Sequence, residues 1–161
     1  MEENKKLVIY TDGAARNNPG KGGYGAILMW GSIKKELSAG YLLTTNNRME
    51  LMGVIAALQI LNKENLTIDI FTDSKYLVDS VEKKWLNNWI KTNFKGGKKN
   101  KDLWMLYYKL ASKHTIKFNW VKGHADNPYN NRCDVLATTA ADGKNLLIDE
   151  GYIKEQENLF S

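Results

Sequence analysis

Ile9-Tyr10-Thr11-Asp12-Gly13 and Ile70-Phe71-Thr72-Asp73-Ser74 carry one pattern twice: aliphatic, aromatic, Thr, Asp, small residue. Leu7 to Asp12 reads as a strand stopped by Gly13 and the turn-rich Asn17-Asn18-Pro19-Gly20. Thr67 to Thr72 reads as a second, short, β-branched and apolar as a buried parallel strand should be. As parallel neighbours, their backbones would run about 4.8 Å apart. Carboxylates ending both strands then suit two divalent cations about 3.5–4 Å apart, the separation used in two-metal phosphodiester chemistry.

Working outward, Gly22 to Trp30 and Ile33 to Leu42 read as two strands joined through Gly31-Ser32. From Asn47 to Leu61 the apolar residues recur at helical spacing. Further helices are expected over Ser74 to Val81, Asn100 to Lys113, and Tyr129 or Asn130 to Ala141, with a fifth strand over Thr115 to Val121. Strands first in a meander, then alternating with helices, predict an α/β fold: a mixed sheet with helices packed on it. The 161 residues fit one domain able to bury most of its unfolded surface, and the tail from Gly143 to Ser161 is expected to be peripheral.

Four acids stand out, each with an ordinary structural explanation. Asp12-Gly13 is a common turn pair, and Asp73 before Ser74 can cap a helix. Asn47-Arg48-Met49-Glu50 resembles a capping box. Yet Glu50 shares its helical face with Val54, Ala57 and Leu61, so its carboxylate points toward the sheet, where a charge is costly unless paired or metal-bound. Asp134 sits beside the apolar stripe of Cys133, Leu136, Ala137, Ala140 and Ala141, or is simply an exposed acid favoured by a helix N-terminus. Jointly, all four are expected at one end of the sheet. Oxygen donors at that density suit Mg²⁺ or Mn²⁺ rather than zinc, and without a cation their mutual repulsion predicts raised pKa values.

The remaining composition narrows the class. A lone Cys133 excludes an intrachain disulfide, and no CxxC or His/Cys ligand spacing supports a structural zinc site. Met1 to Lys6 is polar with no apolar stretch behind it, so no membrane span is expected and the cytoplasm is the expected location. A net charge of +5 suggests an anionic partner. From Lys83 to Lys101 there are seven lysines and no acid, interleaved with Trp85, Trp89 and Phe94 and followed by Trp104. Two readings of those aromatics stand side by side: they pack on one another, or they face a ligand. The one-signed charge, with a Gly96-Gly97 tip, reads as a basic protrusion astride a phosphate backbone.

The motifs taken together resemble bacterial type 1 ribonuclease H. They are Tyr-Thr-Asp-Gly at 10–13, Asn18-Pro19-Gly20, Gly22-Gly23-Tyr24-Gly25, Thr45-Asn46-Asn47-Arg48-Met49-Glu50-Leu51, Thr72-Asp73-Ser74, and Trp120-Val121-Lys122-Gly123-His124-Ala125 with Asn130, Arg132, Cys133 and Asp134. The resemblance runs in order from about residue 7 to residue 153. It implies a five-stranded mixed sheet in order 3-2-1-4-5 with helices on both faces. It further implies Mg²⁺-dependent endonucleolytic cleavage of the RNA strand of RNA/DNA hybrids, leaving 3′-hydroxyl and 5′-phosphate ends. By position, Asp12, Glu50, Asp73 and Asp134 match the metal-binding acids, and His124 the mobile-loop histidine. Asn18, Asn46 and Asn47 match hybrid contacts, and Thr45 a DNA-phosphate contact. Ser74 and Lys75 are further expected substrate contacts, Lys75 at a position of minor-groove contact. The lysine-rich segment, with Lys91, Lys95, Lys98 and Lys99, matches the basic protrusion, and Trp85 and Trp104 the DNA channel. The sequence departs from the family at Ala14-Ala15-Arg16-Asn17, at Lys75 where Gln is common, at Asp126, and in a shorter protrusion.

As a mechanism, one cation activates water, the other stabilises the leaving 3′-oxygen, and His124 assists proton transfer or product release. Asn46 and Asn47 are suited to reading 2′-hydroxyls. A transposase or integrase core would use similar acids on DNA, and a non-catalytic hybrid-binding module is the alternative from another class. A monomer with no obligate protein partner is expected.

Overall fold

The computed structural model describes residues 6–123 and 126–159. β1 (Leu7–Ala15), β2 (Gly20–Trp30) and β3 (Ile33–Thr44) form an antiparallel meander. Then follow α1 (Asn46–Gln59), β4 (Thr67–Thr72), α2 (Lys75–Glu82), α3 (Trp85–Lys91), α4 (Lys101–Ala111), β5 (Thr115–Trp120), α5 (Pro128–Ala141) and α6 (Glu150–Asn158). The five strands lie in the order β3-β2-β1-β4-β5, as the resemblance implied, with β4 parallel to both β1 and β5.

Alternate residues of a strand face opposite sides of its sheet, so the glycines of β2 show which helix covers which face. A Cβ on Gly22 would lie 3.1 Å from Met49 of α1, whereas one on Gly23 would lie 2.4 Å from the Ala137 carbonyl of α5. α1 and α5 therefore sandwich the sheet. The main core lies on the α1 side, where Ile9, Val54, Ile55, Ile70, Leu77 and Trp104 are fully buried. Each such aliphatic side chain contributes about 1.5–3 kcal/mol of hydrophobic stabilisation.

Three local expectations change. β1 does not stop at Asp12: Asp12 pairs with Gly25 and Ala15 with Gly22, because the glycine-rich β2 continues the ladder past Gly13. α1 is not capped by Asn47. Thr45 is the cap, with its Oγ1 accepting the Arg48 N–H at 3.2 Å, so Glu50 lies too far along to complete a capping box. The tail is not peripheral. Leu147 adds a parallel bridge to Tyr41 on the edge strand β3, and α6 follows the buried Asp149. Arg48, 1% exposed, anchors that tail by donating Nε and Nη2 to the Asp149 carboxylate at 2.8 and 2.9 Å. Its Nη1 and Nη2 reach the Asp102 carboxylate at 2.8 and 2.7 Å, and the Thr44 hydroxyl donates to Asp149 at 2.6 Å.

Candidate active site

The two echoed motifs lie side by side in register. Ile9 pairs with Ile70 and Tyr10 with Phe71, whose rings stack at 4.9 Å between centroids. Asp12 and Asp73 stand two residues further along each chain, and α1 supplies Glu50. The helix can come this close because residue 13 has no side chain: a Cβ there would sit 2.3 Å from the Glu50 nitrogen. Asp12, Glu50 and Asp73 each bring a carboxylate oxygen within 4.8 Å of the others.

The setting is hostile to three negative charges. Asp12 is 5% exposed and Glu50 8%, while Asp73 is half-buried. Burial, with the charges of Asp73 and Asp134 adding to it, pushes the Asp12 carboxyl up to about 8, against a lowering hydrogen bond from the Gly13 N–H at 3.0 Å. Glu50 is raised well above the carboxylate range, first by burial and then by Asp12 and Asp73. Its Oε1 is buried without a hydrogen-bond partner among the described residues. A polar atom orphaned in this way is costly, and a hard divalent cation satisfies it while cancelling the repulsion. The donor set, carboxylate oxygens only, fits Mg²⁺ or Mn²⁺.

The expected fourth acid stands apart. Asp134 is exposed on α5 and outside the 4.8 Å group, although its charge is felt at Asp12. His124 lies outside the described residues.

The expected substrate contacts divide. The Asn18 side chain accepts the Asn46 N–H at 3.0 Å, and Asn46 in turn accepts the Ala15 N–H at 2.6 Å, so the loop after β1 is stitched to the start of α1. Asn18, Thr45, Asn47, Lys98 and Lys99 share one cavity of about 630 Å³. Lys91 and Lys95 are exposed on the protrusion, and Trp85 is 41% exposed beneath Lys83. Ser74 is occupied as the α2 cap, accepting the Leu77 N–H at 3.2 Å, while Lys75 is exposed. Trp104 corrects the sequence reading. It is fully buried, with its Nε1–H on the Tyr76 hydroxyl at 2.7 Å and Trp89 and Tyr107 packed against it, so it has no surface to offer a nucleic acid. Of the aromatics in this stretch, Trp89 and Phe94 pack inward as well.

Sequence reasoning missed the far wall of that cavity, built by Tyr76, Asn100 and the α6 residues Tyr152, Glu155 and Gln156. The Glu155 carboxylate accepts the Asn100 N–H at 2.8 Å. The available signal was a cationic residue, Arg48, set among the apolar residues of α1, which demanded a distant acid.

Three carboxylates, two of them buried, converging where parallel strands meet a helix start make a site for a divalent cation. Similarity to known proteins agrees. The RNase H family model matches residues 4–142. Ribonuclease H of Chlorobium phaeobacteroides is 52% identical over 140 residues, covering 84% of this chain and 95% of its own. Ribonuclease H of Desulforamulus reducens is 48% identical over 149 residues, covering 90% and 93%. Among solved structures, LC9-RNase H1, described as a type 1 RNase H with the type 2 active-site motif, superposes with a TM-score of 0.78 at 27% identity, covering 93% of this chain and 80% of that one. The chain belongs to the ribonuclease H family, metal-dependent enzymes that cut the RNA strand of RNA/DNA hybrids endonucleolytically.

Proposed function

We propose that Asp12, Glu50 and Asp73, joined by Asp134 when substrate is bound, hold two Mg²⁺ ions, and that cleavage leaves 3′-hydroxyl and 5′-phosphate ends. Mn²⁺ is expected to substitute. Such ions supply the charge that makes water nucleophilic and eases departure of the 3′-oxygen. The chain's own part is geometry. β1 and α1 hold Asp12 and Glu50 before substrate arrives, and Asp73 stands just past the end of β4, so little reorganisation is needed. Asn46 and Asn47 at the α1 start face the RNA strand, where amides tell a 2′-hydroxyl from its absence. Thr45, Asn18 and Ser74 flank that strand and its partner, with Lys75 beside them. Lys91, Lys95, Lys98, Lys99 and Trp85 of the protrusion hold the DNA strand. His124 carries a proton at the site or aids product release. In this reading the enzyme acts as a monomer in the cytoplasm without an obligate protein partner; among the described residues no helix is long and apolar enough to cross a membrane.

The observation that carries this is the triad within 4.8 Å, one of its oxygens buried without a partner among the described residues. The test incubates labelled RNA/DNA hybrid, duplex DNA and duplex RNA with the protein, with Mg²⁺ or with EDTA. Hybrid alone is cleaved, in Mg²⁺ alone, to 5′-phosphate products. Cleavage that persists in EDTA, or equal cleavage of all three duplexes, refutes the reading.

A further inference from the structure

Of the three clustered acids, Asp73 is the least restrained by regular structure. Asp12 lies within β1 and is paired to Gly25, and Glu50 lies within α1. Asp73 follows the last residue of β4 and precedes the α2 cap, Ser74, so neither ladder nor helix fixes its peptide. A cation site needs its ligands held to within about 0.5 Å, and hydrogen bonds from side chains supply restraint at this turn: the Ser74 N–H of the same peptide donates to the Thr72 Oγ1 at 3.1 Å.

Trp120 stands at that place. It ends β5 opposite Thr72, and its indole Nε1–H donates to the Asp73 carbonyl oxygen at 3.2 Å. The side chain is 45% exposed, so burial alone does not account for a tryptophan here. Lys75, two residues past Asp73, brings its ammonium to 4.4 Å from the centroid of the Trp120 ring, within cation–π range. The turn 73–75 and the indole thus hold each other at two points. The backbone beyond completes the enclosure. The Val121 N–H donates to the Thr72 carbonyl at 2.9 Å, and a Cβ on Gly123 would lie 3.0 Å from Asp73 Oδ2.

We propose that Trp120 is a positioning residue of the cation cluster: its indole N–H fixes the Asp73 peptide, and Lys75 clamps the ring that carries the N–H. The proposal rests on the cation reading of Asp12, Glu50 and Asp73. It gives Lys75 a role within the protein in addition to any contact with nucleic acid.

Two variants separate the two tethers. Trp120→Phe keeps an aromatic ring under Lys75 and deletes the N–H; Lys75→Gln keeps the N–H and releases the clamp. Binding of Mn²⁺ to substrate-free protein is followed by the EPR signal of free Mn²⁺, with metal-free melting temperatures as a control for folding. Trp120→Phe weakens Mn²⁺ binding about tenfold, at the low end of what loss of a supporting hydrogen bond costs a metal site. Lys75→Gln weakens it less, Lys75→Arg restores it, and metal-free melting of the Lys75 variants is unchanged. Wild-type Mn²⁺ affinity in Trp120→Phe overturns the N–H tether, and wild-type affinity in Lys75→Gln overturns the clamp. If Asp12→Asn binds Mn²⁺ as wild type does, the cation reading itself fails and takes this proposal with it.

Discussion

Glu50 shows how a single residue can reveal a site. Its helical face alone placed the carboxylate inward, and in the structure it is buried with one oxygen unpartnered among the described residues. The apparent capping box misleads because cap identity depends on where the chain turns, and Thr45 takes that place ahead of Asn47. Trp104 misleads for a related reason: basic neighbours say nothing about which way an indole points. The residue-scale predictions follow from burial. Asp12→Asn or Asp73→Asn abolishes hybrid cleavage in a gel assay while the protein stays folded; near-normal turnover would refute their assignment. The Asp12 carboxyl titrates near 8 when folded against an ordinary 3.8, so between those values the folded state keeps a proton that the unfolded state has lost. Stability of the metal-free protein therefore falls as pH rises from about 4 to about 8. Urea unfolding in EDTA at pH 5 and pH 8 measures this, and Asp12→Asn should flatten the trend. A metal-free protein more stable at pH 8 than at pH 5 would contradict it.

At the scale of elements, the strands were legible because their signals are local. The echoed motifs at 9–13 and 70–74 suited parallel neighbours, an order the family resemblance implied, and the register places Ile9 beside Ile70. The tail was not legible, since what holds it is an ion pair between residues 101 positions apart, Arg48 and Asp149, without a local pattern to announce it. Removing one member of such a buried pair leaves the other charge uncompensated, so Arg48→Ala should cost about 3–5 kcal/mol in urea unfolding; a loss near zero would show that the network is ornamental. The protrusion was half legible. Its charge was visible, while the sequence left two orientations open for Trp89 and Phe94, of which the structure shows the packed one. Lys101 is engaged with the Asn93 side chain at 2.6 Å, which leaves Lys95, Lys98 and Lys99 as the exposed test set. Neutralising those three should raise KM for hybrid and flatten its salt dependence by about one logarithmic unit for each phosphate no longer neutralised. If neither changes, the protrusion does not touch the substrate.

Across the whole molecule, one sheet with helices on both faces brings acids from residues 12, 50 and 73 to one place while the net charge of +5 attracts a polyanion. The division of labour is physical. In the proposed reading, positive charge distributed over the surface draws the nucleic acid in, and the compact carboxylate site holds the metal that acts on it. The central claim is that these three carboxylates grip divalent metal. The most direct measurement is anomalous scattering from a crystal soaked in Mn²⁺. The account predicts a peak at coordination distance from oxygens of Asp12, Glu50 and Asp73. An empty cluster at saturating Mn²⁺, or a peak bound elsewhere, would contradict it.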